Sequence, residues 1–257
     1  MKIQVLVAAM HQEDHSLLEK MNIQTDAIVA NQCSNNCIEN FNYNEKEITY
    51  LNFAEKGVGR NRNNALIRAD ADAVLFADDD IVYVDGYEKI IEQEFAKHKD
   101  ADMIIFNVKN EDNRPRYTIT SSKRVHKYNC LRYGAVRIAV KLDSIRKNNI
   151  WFTLLFGGGA KYGSGEDSLF IYNCISCGMK AYTSSNVILT VPKSESTWFD
   201  GYTDKYFYDK GALYKAIFGK KAVLMAIVFI FKNRAETKTI GLKKACCQML
   251  KGIKEFS

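Results

Sequence analysis

The stretch Ala73-Val-Leu-Phe-Ala-Asp-Asp-Asp-Ile81 decides the fold. Its short apolar run, rich in Val, Leu and Phe, reads as a strand buried on both faces, as in a parallel sheet. The run stops in three adjacent carboxylates. These repel one another and persist where water, a cation or basic side chains offset the repulsion. In an extended segment, residues two apart face the same way, so Asp78 and Asp80 can face one ligand while Asp79 turns aside. The carboxyl ends of parallel strands are where open α/β sheets bind ligands. Two carboxylates, completed by phosphate oxygens and waters, suit a magnesium-like ion. Taken alone, the triplet reads equally well as a solvated acidic turn before the next helix.

Outward from this strand, the N-terminal half alternates strands and helices. Ile3 to Ala9 is a first strand, ending in a loop from Met10 to Asp14, and a short helical piece spans Ser16 to Met21. Ala27 to Ala30 is a second strand with a polar tip, Asn31-Gln-Cys-Ser34. Residues 35–47 read as an asparagine-rich loop, and Ile48 to Asn52 as a third strand. Lys56-Gly-Val-Gly-Arg-Asn-Arg-Asn-Asn-Ala-Leu66 opens a helix that runs to Ala69. Beyond the acidic strand, Asp85 and Glu88 have capping-box spacing before a helix with Tyr87, Ile91 and Phe95 on one face. Met103 to Val108 is a further strand. The alternation predicts a mostly parallel α/β sheet.

After residue 110 the pattern becomes irregular. Tyr117 to Thr120 and Ala135 to Val140 read as strands, and a short helix lies near Asp143 to Asn148. Gly163-Ser-Gly-Glu-Asp-Ser-Leu169 opens a helix that Gly178 terminates. This half reads as a cap over the first rather than a separate domain.

The chain has 257 residues, 47% hydrophobic and 26% charged, with two prolines and a net charge of +6. That is enough for one large domain with a full core, and it argues against disorder. Seven cysteines without a regular framework suit a reducing compartment. Neither Cys33 and Cys37 nor Cys174 and Cys177 has the second pair or histidines of a zinc site. The N-terminal apolar run is interrupted by Gln4 and ends in His-Gln-Glu-Asp, which reads as a strand rather than a signal peptide.

Neither a Gly-x-x-x-x-Gly-Lys-Ser/Thr loop nor a Gly-x-Gly-x-x-Gly turn follows the first strand. The sheet therefore favours gripping a nucleotide diphosphate through a metal. A second acidic pair, Glu166-Asp167, sits behind glycines at a helix start. Acids there are favoured by the helix dipole alone. They also suit a general base, because displacement at an anomeric carbon needs a carboxylate opposite the leaving group.

The residues as a set resemble glycosyltransferase family 2, the inverting family with the nucleotide-diphospho-sugar transferase (GT-A) fold, of the bacterial surface-polysaccharide type. What carries the resemblance is an order: strand, polar-tipped second strand, Gly-Val-x-x-x-Arg-Asn helix, Asp-x-Asp strand and Gly-Glu-Asp near 165, over roughly residues 3–200. It implies that Asp78 and Asp80 bind a Mn or Mg ion on the donor diphosphate, Asp80 more directly, with Asp79 beside them. It implies that Arg62 lies near the nucleotide, that Asp167 is the base and that Glu166 positions it or the acceptor. Ala9, His11 and Asn31 fall where the family contacts the nucleotide. Asn31 replaces the family's usual Asp, which leaves the base preference open, since an amide both donates and accepts. A lone loop histidine such as His11 is usually just solvated. Trp198, Tyr206 and Lys210 lie in an aromatic, charged stretch that suits either a donor–acceptor cleft or packing.

The resemblance implies a catalytic domain at 1–211 followed by a basic, partly apolar helical tail at 212–257. In the tail, Ala222 to Phe231 is a ten-residue apolar run between lysines, shorter than the ~20 residues that span a bilayer. The basic amphipathic pattern beyond it suits an anionic membrane surface. It also suits a helical hairpin packed on the domain or a subunit contact. The expected protein is a cytoplasmic, peripherally membrane-associated glycosyltransferase. Its expected donor is a UDP-hexose or UDP-N-acetylhexosamine and its expected acceptor a glycan or lipid-linked glycan in surface-polysaccharide or capsule synthesis; nucleic acid is not expected as a partner. Two rivals remain at this point. A nucleotidyltransferase would need a glycine-rich loop after the first strand, which Ala8 to Asp14 lacks. The other is a non-catalytic nucleotide-sugar-binding or scaffold protein with a degenerate site.

Overall fold

A computed structural model describes residues 1–111, 117–192 and 201–256. The first half contains β1 (Ile3–Met10), α1 (Leu17–Lys20), β2 (Asp26–Gln32), β3 (Cys37–Tyr43) and β4 (Lys46–Phe53). These are followed by α2 (Val58–Arg68), β5 (Ala73–Asp78), β6 (Val82–Tyr83), α3 (Tyr87–Lys97) and β7 (Met103–Asn110). The second half contains β8 (Ile138–Lys141), α4 (Leu142–Lys147), α5 (Glu166–Ser176) and β9 (Ala181–Val191). Four helices close the chain: α6 (Asp204–Phe218), α7 (Ala222–Lys232), α8 (Arg234–Lys238) and α9 (Leu242–Glu255).

Among the described residues, nine strands form one sheet in the order β3-β4-β2-β1-β5-β8-β7-β9-β6. β1 runs parallel to β2 and β5, and β2 parallel to β4. The segment that decides the fold is therefore a central parallel strand, with Val74 to Ala77 fully buried. Alternation along the strands sends side chains into two cores. Leu6, Ile28, Ala30 and Phe76 meet α2 and α5 on one face. Val5, Val7, Ala9, Val29 and Ala77 meet α1 and α3 on the other.

Several expectations need correction. The stretch 35–47 is not all loop: β3 pairs antiparallel with β4 along the sheet edge. Tyr117 to Thr120 is not a strand; the Asn107 side chain bonds both the N–H (2.8 Å) and the C=O (2.7 Å) of Ile119, taking the place of a ladder partner. Asp85 does not cap α3. Gly86 stands at the N-cap with φ 68°, and Asp85 instead accepts from Asn22 (2.9 Å) and Gln24 (2.8 Å). The 11-residue strand β9, which the sequence reading lacked, pairs with β7 and extends the sheet beyond β8. Ala135 to Arg137 is a 3₁₀ turn that leads into β8.

The C-terminal helices pack on the rest of the protein as one cluster. Phe207 of α6, Ala226 and Ile230 of α7, and Met249 and Ile253 of α9 form its centre. Leu213 and Ile217 of α6 join Phe156, Tyr162 and Leu169 near α5, which ties the cluster to the catalytic side. α6 and α9 cross with backbones almost touching. A Cβ on Gly211 would sit 2.1 Å from the Met249 carbonyl oxygen, and one on Gly252 would sit 2.0 Å from that of Tyr208. α6 thus runs unbroken across the expected boundary at 211/212. Among the described residues, no helix is long and apolar enough to cross a membrane.

Candidate active site

The site forms where β5 ends, opposite the N-terminus of α5. α2 supplies its centre. Asn61 donates to the Ala30 carbonyl (2.8 Å), and Asn63 exchanges hydrogen bonds with the Phe152 backbone (both 2.9 Å), so the helix is pinned to the sheet and to the strap before residue 156. Gly59 permits that approach, since a Cβ there would lie 2.3 Å from the Thr153 carbonyl oxygen.

This anchoring buries Arg62, which is 2% exposed. Its guanidinium bridges Asp78 at 2.6 Å, Asp167 at 2.5 Å and Glu166 at 3.4 Å. It lies over the Phe152 ring, which stacks on Phe170 and meets Phe76 edge-on. Burial alone lowers an arginine pKa, but the three carboxylates outweigh it and hold Arg62 above its ordinary value. Burial pushes the Glu166 carboxyl up to about 7, with the charge of Asp167 adding to the rise. Asp167 is oriented at both oxygens. Oδ1 takes Arg62, and Oδ2 accepts from the Ala135 N–H at 3.0 Å.

Two cavities flank Glu166. One, of about 260 Å³, is lined by Ala8, Met10, Gln32, Arg62, Asp78 and Asp79, among others. The second, of about 320 Å³, shares Ser164 and Glu166 with it and is lined by Asp167, Arg132, Lys210 and Leu213. The structure thus brings Arg62, Asp78, Glu166 and Asp167 together and separates Lys210 from the first cavity.

The residues expected at the strand tips are displaced by one position. In the β1–β2 register, Ala9 lies beside Asn31 and Met10 beside Gln32. Ala9 is fully buried in the core on the α1 side. Asn31 is 1% exposed, and its amide binds the Gln12 backbone N–H (3.0 Å), the Gln12 carbonyl (2.9 Å) and Asn52 (2.7 Å). Met10 and Gln32, on the opposite face, line the cavity instead, and Gln32 accepts from the Gly57 N–H at 2.7 Å. Counting alternation back from Asp78, beside Ala8 in the ladder, identifies this face. His11, held at φ 54°, lines a separate hollow with Asn35, Glu39 and Asn52. Asp79 turns back to the β1 loop and accepts from Met10 N–H (3.1 Å) and Gln12 (3.3 Å), while burial pushes its carboxyl up. Trp198 lies outside the described residues.

The strand ends at Asp78, and Asp79 and Asp80 form a turn, so strict alternation does not carry to Asp80. Among the described residues, no group of three or more His, Cys, Asp or Glu side chains forms a metal site. Asp78 keeps Oδ2 outside the Arg62 bridge, and Asp80 is exposed. Carboxylate oxygens of this kind suit a magnesium-like ion whose remaining ligands are phosphate oxygens and water.

The fold recurs among solved structures. S. aureus TarS 1–349 in complex with UDP-GlcNAc aligns over 100% of this chain and 80% of its own length, at 16% identity and a TM-score of 0.71. The same fragment in complex with UDP aligns over 93% and 75%, at 17% identity and a TM-score of 0.66. S. aureus TarS without that truncation aligns over 99% of this chain and 50% of its own, at 16% identity and a TM-score of 0.67. This similarity establishes the GT-A architecture of the sheet and the helices that follow it. No curated protein sequence matches the chain. The family model for Glycosyl transferase family 2 matches residues 15–152, more than half of the chain, from the first helix through β5 to the strap that carries Phe152. With Arg62 and Asp78 inside that span and the fold continuous through Asp167, the chain belongs to glycosyl transferase family 2 and is a glycosyltransferase.

Proposed function

We propose that the protein transfers a sugar from a UDP-sugar, a hexose or N-acetylhexosamine donor, to a glycan or lipid-linked acceptor with inversion at the anomeric carbon. One observation carries this reading: Arg62 ties the strand-end Asp78 to the helix-start pair Glu166 and Asp167, at the meeting of two cavities. The first cavity takes the donor diphosphate and the second the acceptor. Nucleotide complexes of proteins with the same fold support a UDP donor.

Asp167 takes the proton of the acceptor hydroxyl. That oxygen forms a bond to the anomeric carbon, and the bond from that carbon to the diphosphate oxygen breaks, its electron pair leaving with UDP. Arg62 and the Ala135 N–H fix the carboxylate so that it meets the hydroxyl in one orientation. Glu166, its carboxyl raised by burial, separates the two cavities and borders both reactants. Asp78 and Asp80 would hold a Mn or Mg ion, which, when bound, offsets the charge gathered on the diphosphate.

The role we infer is surface-polysaccharide or capsule synthesis at the cytoplasmic face of the membrane. Support comes from an exposed apolar stripe on α7, Val223, Leu224, Ile227 and Phe231, with Lys220, Lys221 and Lys232 at its ends. The deciding experiment is release of free nucleoside diphosphate from a panel of donors, with and without Mn, by wild type and Asp167→Asn. Metal-dependent release from one UDP-sugar, lost in the variant, is expected. UDP binding without turnover on any donor or acceptor would favour a non-catalytic binding protein, and no binding of any nucleotide would overturn the reading.

A further inference from the structure

The cavity beside Asp167 contains two cations that the proposed chemistry leaves unused. Arg132, on the turn that follows Cys130, is exposed, and its guanidinium lies over the Tyr117 ring at 4.7 Å. Lys210 reaches in from the middle of α6 and is half-buried. Among the described residues, neither forms an ion pair with a carboxylate. The acids that share this cavity, Glu166 and Asp167, are already bridged by Arg62. The Lys210 ammonium lies over two aromatic rings, Tyr206 at 5.9 Å and Phe229 at 5.6 Å. Burial holds its ammonium below the usual lysine pKa.

A desolvated ammonium is retained at such a position when something compensates its lost hydration. Two rings at these distances compensate in part. A ligand anion would complete it. Lys210 acts as a point charge and Arg132 offers a planar fork of donors, and together they match a group with several charged oxygens better than a neutral sugar.

We propose that Lys210 and Arg132 form an anion subsite that binds a phosphate group of the acceptor and so presents the acceptor hydroxyl to Asp167. This rests on the reading of the second cavity as the acceptor side. It narrows the acceptor from any glycan to a phosphate-bearing molecule, either a diphosphate-linked carrier or a phosphodiester.

The test is calorimetric titration of pyrophosphate and of glycerophosphoglycerol into protein first saturated with UDP, so that the donor cavity is filled. Both probes, or one of them, should bind wild type. Lys210→Gln and Arg132→Gln should each weaken binding by about tenfold or more, the loss expected for a charged hydrogen bond. Lys210→Arg, which keeps the charge, should restore most of it. Tighter binding of pyrophosphate assigns the subsite to a diphosphate-linked carrier, and tighter binding of the diester to a phosphodiester chain. Circular-dichroism melts establish that each variant folds, and Arg132→Gln changes an exposed residue, so at least one variant remains informative. Equal affinity in wild type and both Gln variants, or no binding of either probe to wild type, overturns the proposal. Failure of UDP itself to bind overturns the donor reading instead, and the phosphate titrations are then read on the free protein.

Discussion

Arg62 carries three carboxylates on one guanidinium within 3.4 Å, and its removal leaves Asp78, Glu166 and Asp167 facing one another. Breaking a buried charge network from one side destabilises by about 3–5 kcal/mol. Arg62→Met should therefore lower the urea midpoint by an amount of that order and abolish transfer. An unchanged midpoint would show that the carboxylates relax apart at little cost. Asp167→Asn preserves the shape and removes the proposed base, so transfer should fall by about 100- to 10,000-fold while UDP still binds. Single-turnover transfer alongside a UDP titration separates the two effects. Glu166 makes a prediction with a definite sign. Burial raises its carboxyl from 4.5 to about 7 in the folded state, so the native protein holds that proton more tightly than the unfolded chain does. The resulting stability is fully present below about pH 4.5 and lost as pH rises through about 7. Relative to Glu166→Gln, wild type should lose stability over that window and run parallel to the variant above about pH 8. A difference in urea midpoint that does not vary with pH would contradict this assignment. That Arg62, Asp78 and Asp167 belong to one candidate site came from the resemblance to the family, which rests on the order and spacing of charges beside glycines and strand ends, and the structure does bring the three together. Gln32 was not legible in the sequence, because choosing it over Asn31 requires knowing which face of β2 meets the cavity. A one-residue offset exchanges the faces.

At the scale of elements, two glycines let the backbones of α6 and α9 almost touch beside the packed Phe207, Met249 and Ile253. The Cβ of Gly211→Ala or Gly252→Ala would meet a backbone carbonyl oxygen at 2.1 or 2.0 Å, so the helices must separate. Overpacking of this kind costs about 1–3 kcal/mol. Each variant should melt several degrees lower, and its near-ultraviolet circular dichroism should weaken as Phe207, Tyr206 and Tyr214 lose fixed surroundings. A melt unchanged in either variant would show that the two helices separate at little cost. α6 also carries Asp209, which accepts from the Gly163 N–H (2.8 Å) and from Lys205 (2.6 Å), so separation should reach the loop before Glu166 and reduce transfer as well. Elements that bury a continuous face were readable from periodicity, as Tyr87, Ile91 and Phe95 of α3 demonstrate. β3 and β9 were not. β3 is an edge strand rich in asparagine, exposed or half-exposed along its length, and the middle of β9 is the polar run Thr183-Ser-Ser-Asn186. Their pairing comes from neighbours distant in sequence, which a local pattern does not carry.

For the whole molecule, the C-terminal helices cover one side of the catalytic core while leaving an apolar stripe outward. α7 buries Ala222, Ala226 and Ile230 and exposes Val223, Leu224, Ile227 and Phe231 by 41–61%. The sequence placed its membrane reading on the basic amphipathic stretch beyond α7, beside the alternatives of a packed hairpin and a subunit contact; that stretch is α9, whose Met249 and Ile253 pack inward, and the outward apolar stripe lies on α7 instead. Lysines at both ends favour an anionic surface, since each contributes about 1 kcal/mol near such a membrane. An apolar side chain that enters the interface adds about 1.5–3 kcal/mol. The protein should sediment with phosphatidylglycerol vesicles and far less with phosphatidylcholine vesicles, and added salt should reduce the binding. Replacing both Leu224 and Phe231 with Glu should lower partitioning by about tenfold or more while leaving the melting temperature within a few degrees, because neither side chain belongs to the core. Equal sedimentation with both vesicle types would remove the preference for an anionic surface, and sedimentation with neither would remove the membrane. If wild type is instead a dimer in analytical ultracentrifugation without vesicles, and the double variant a monomer, the stripe is a contact between two copies of the chain.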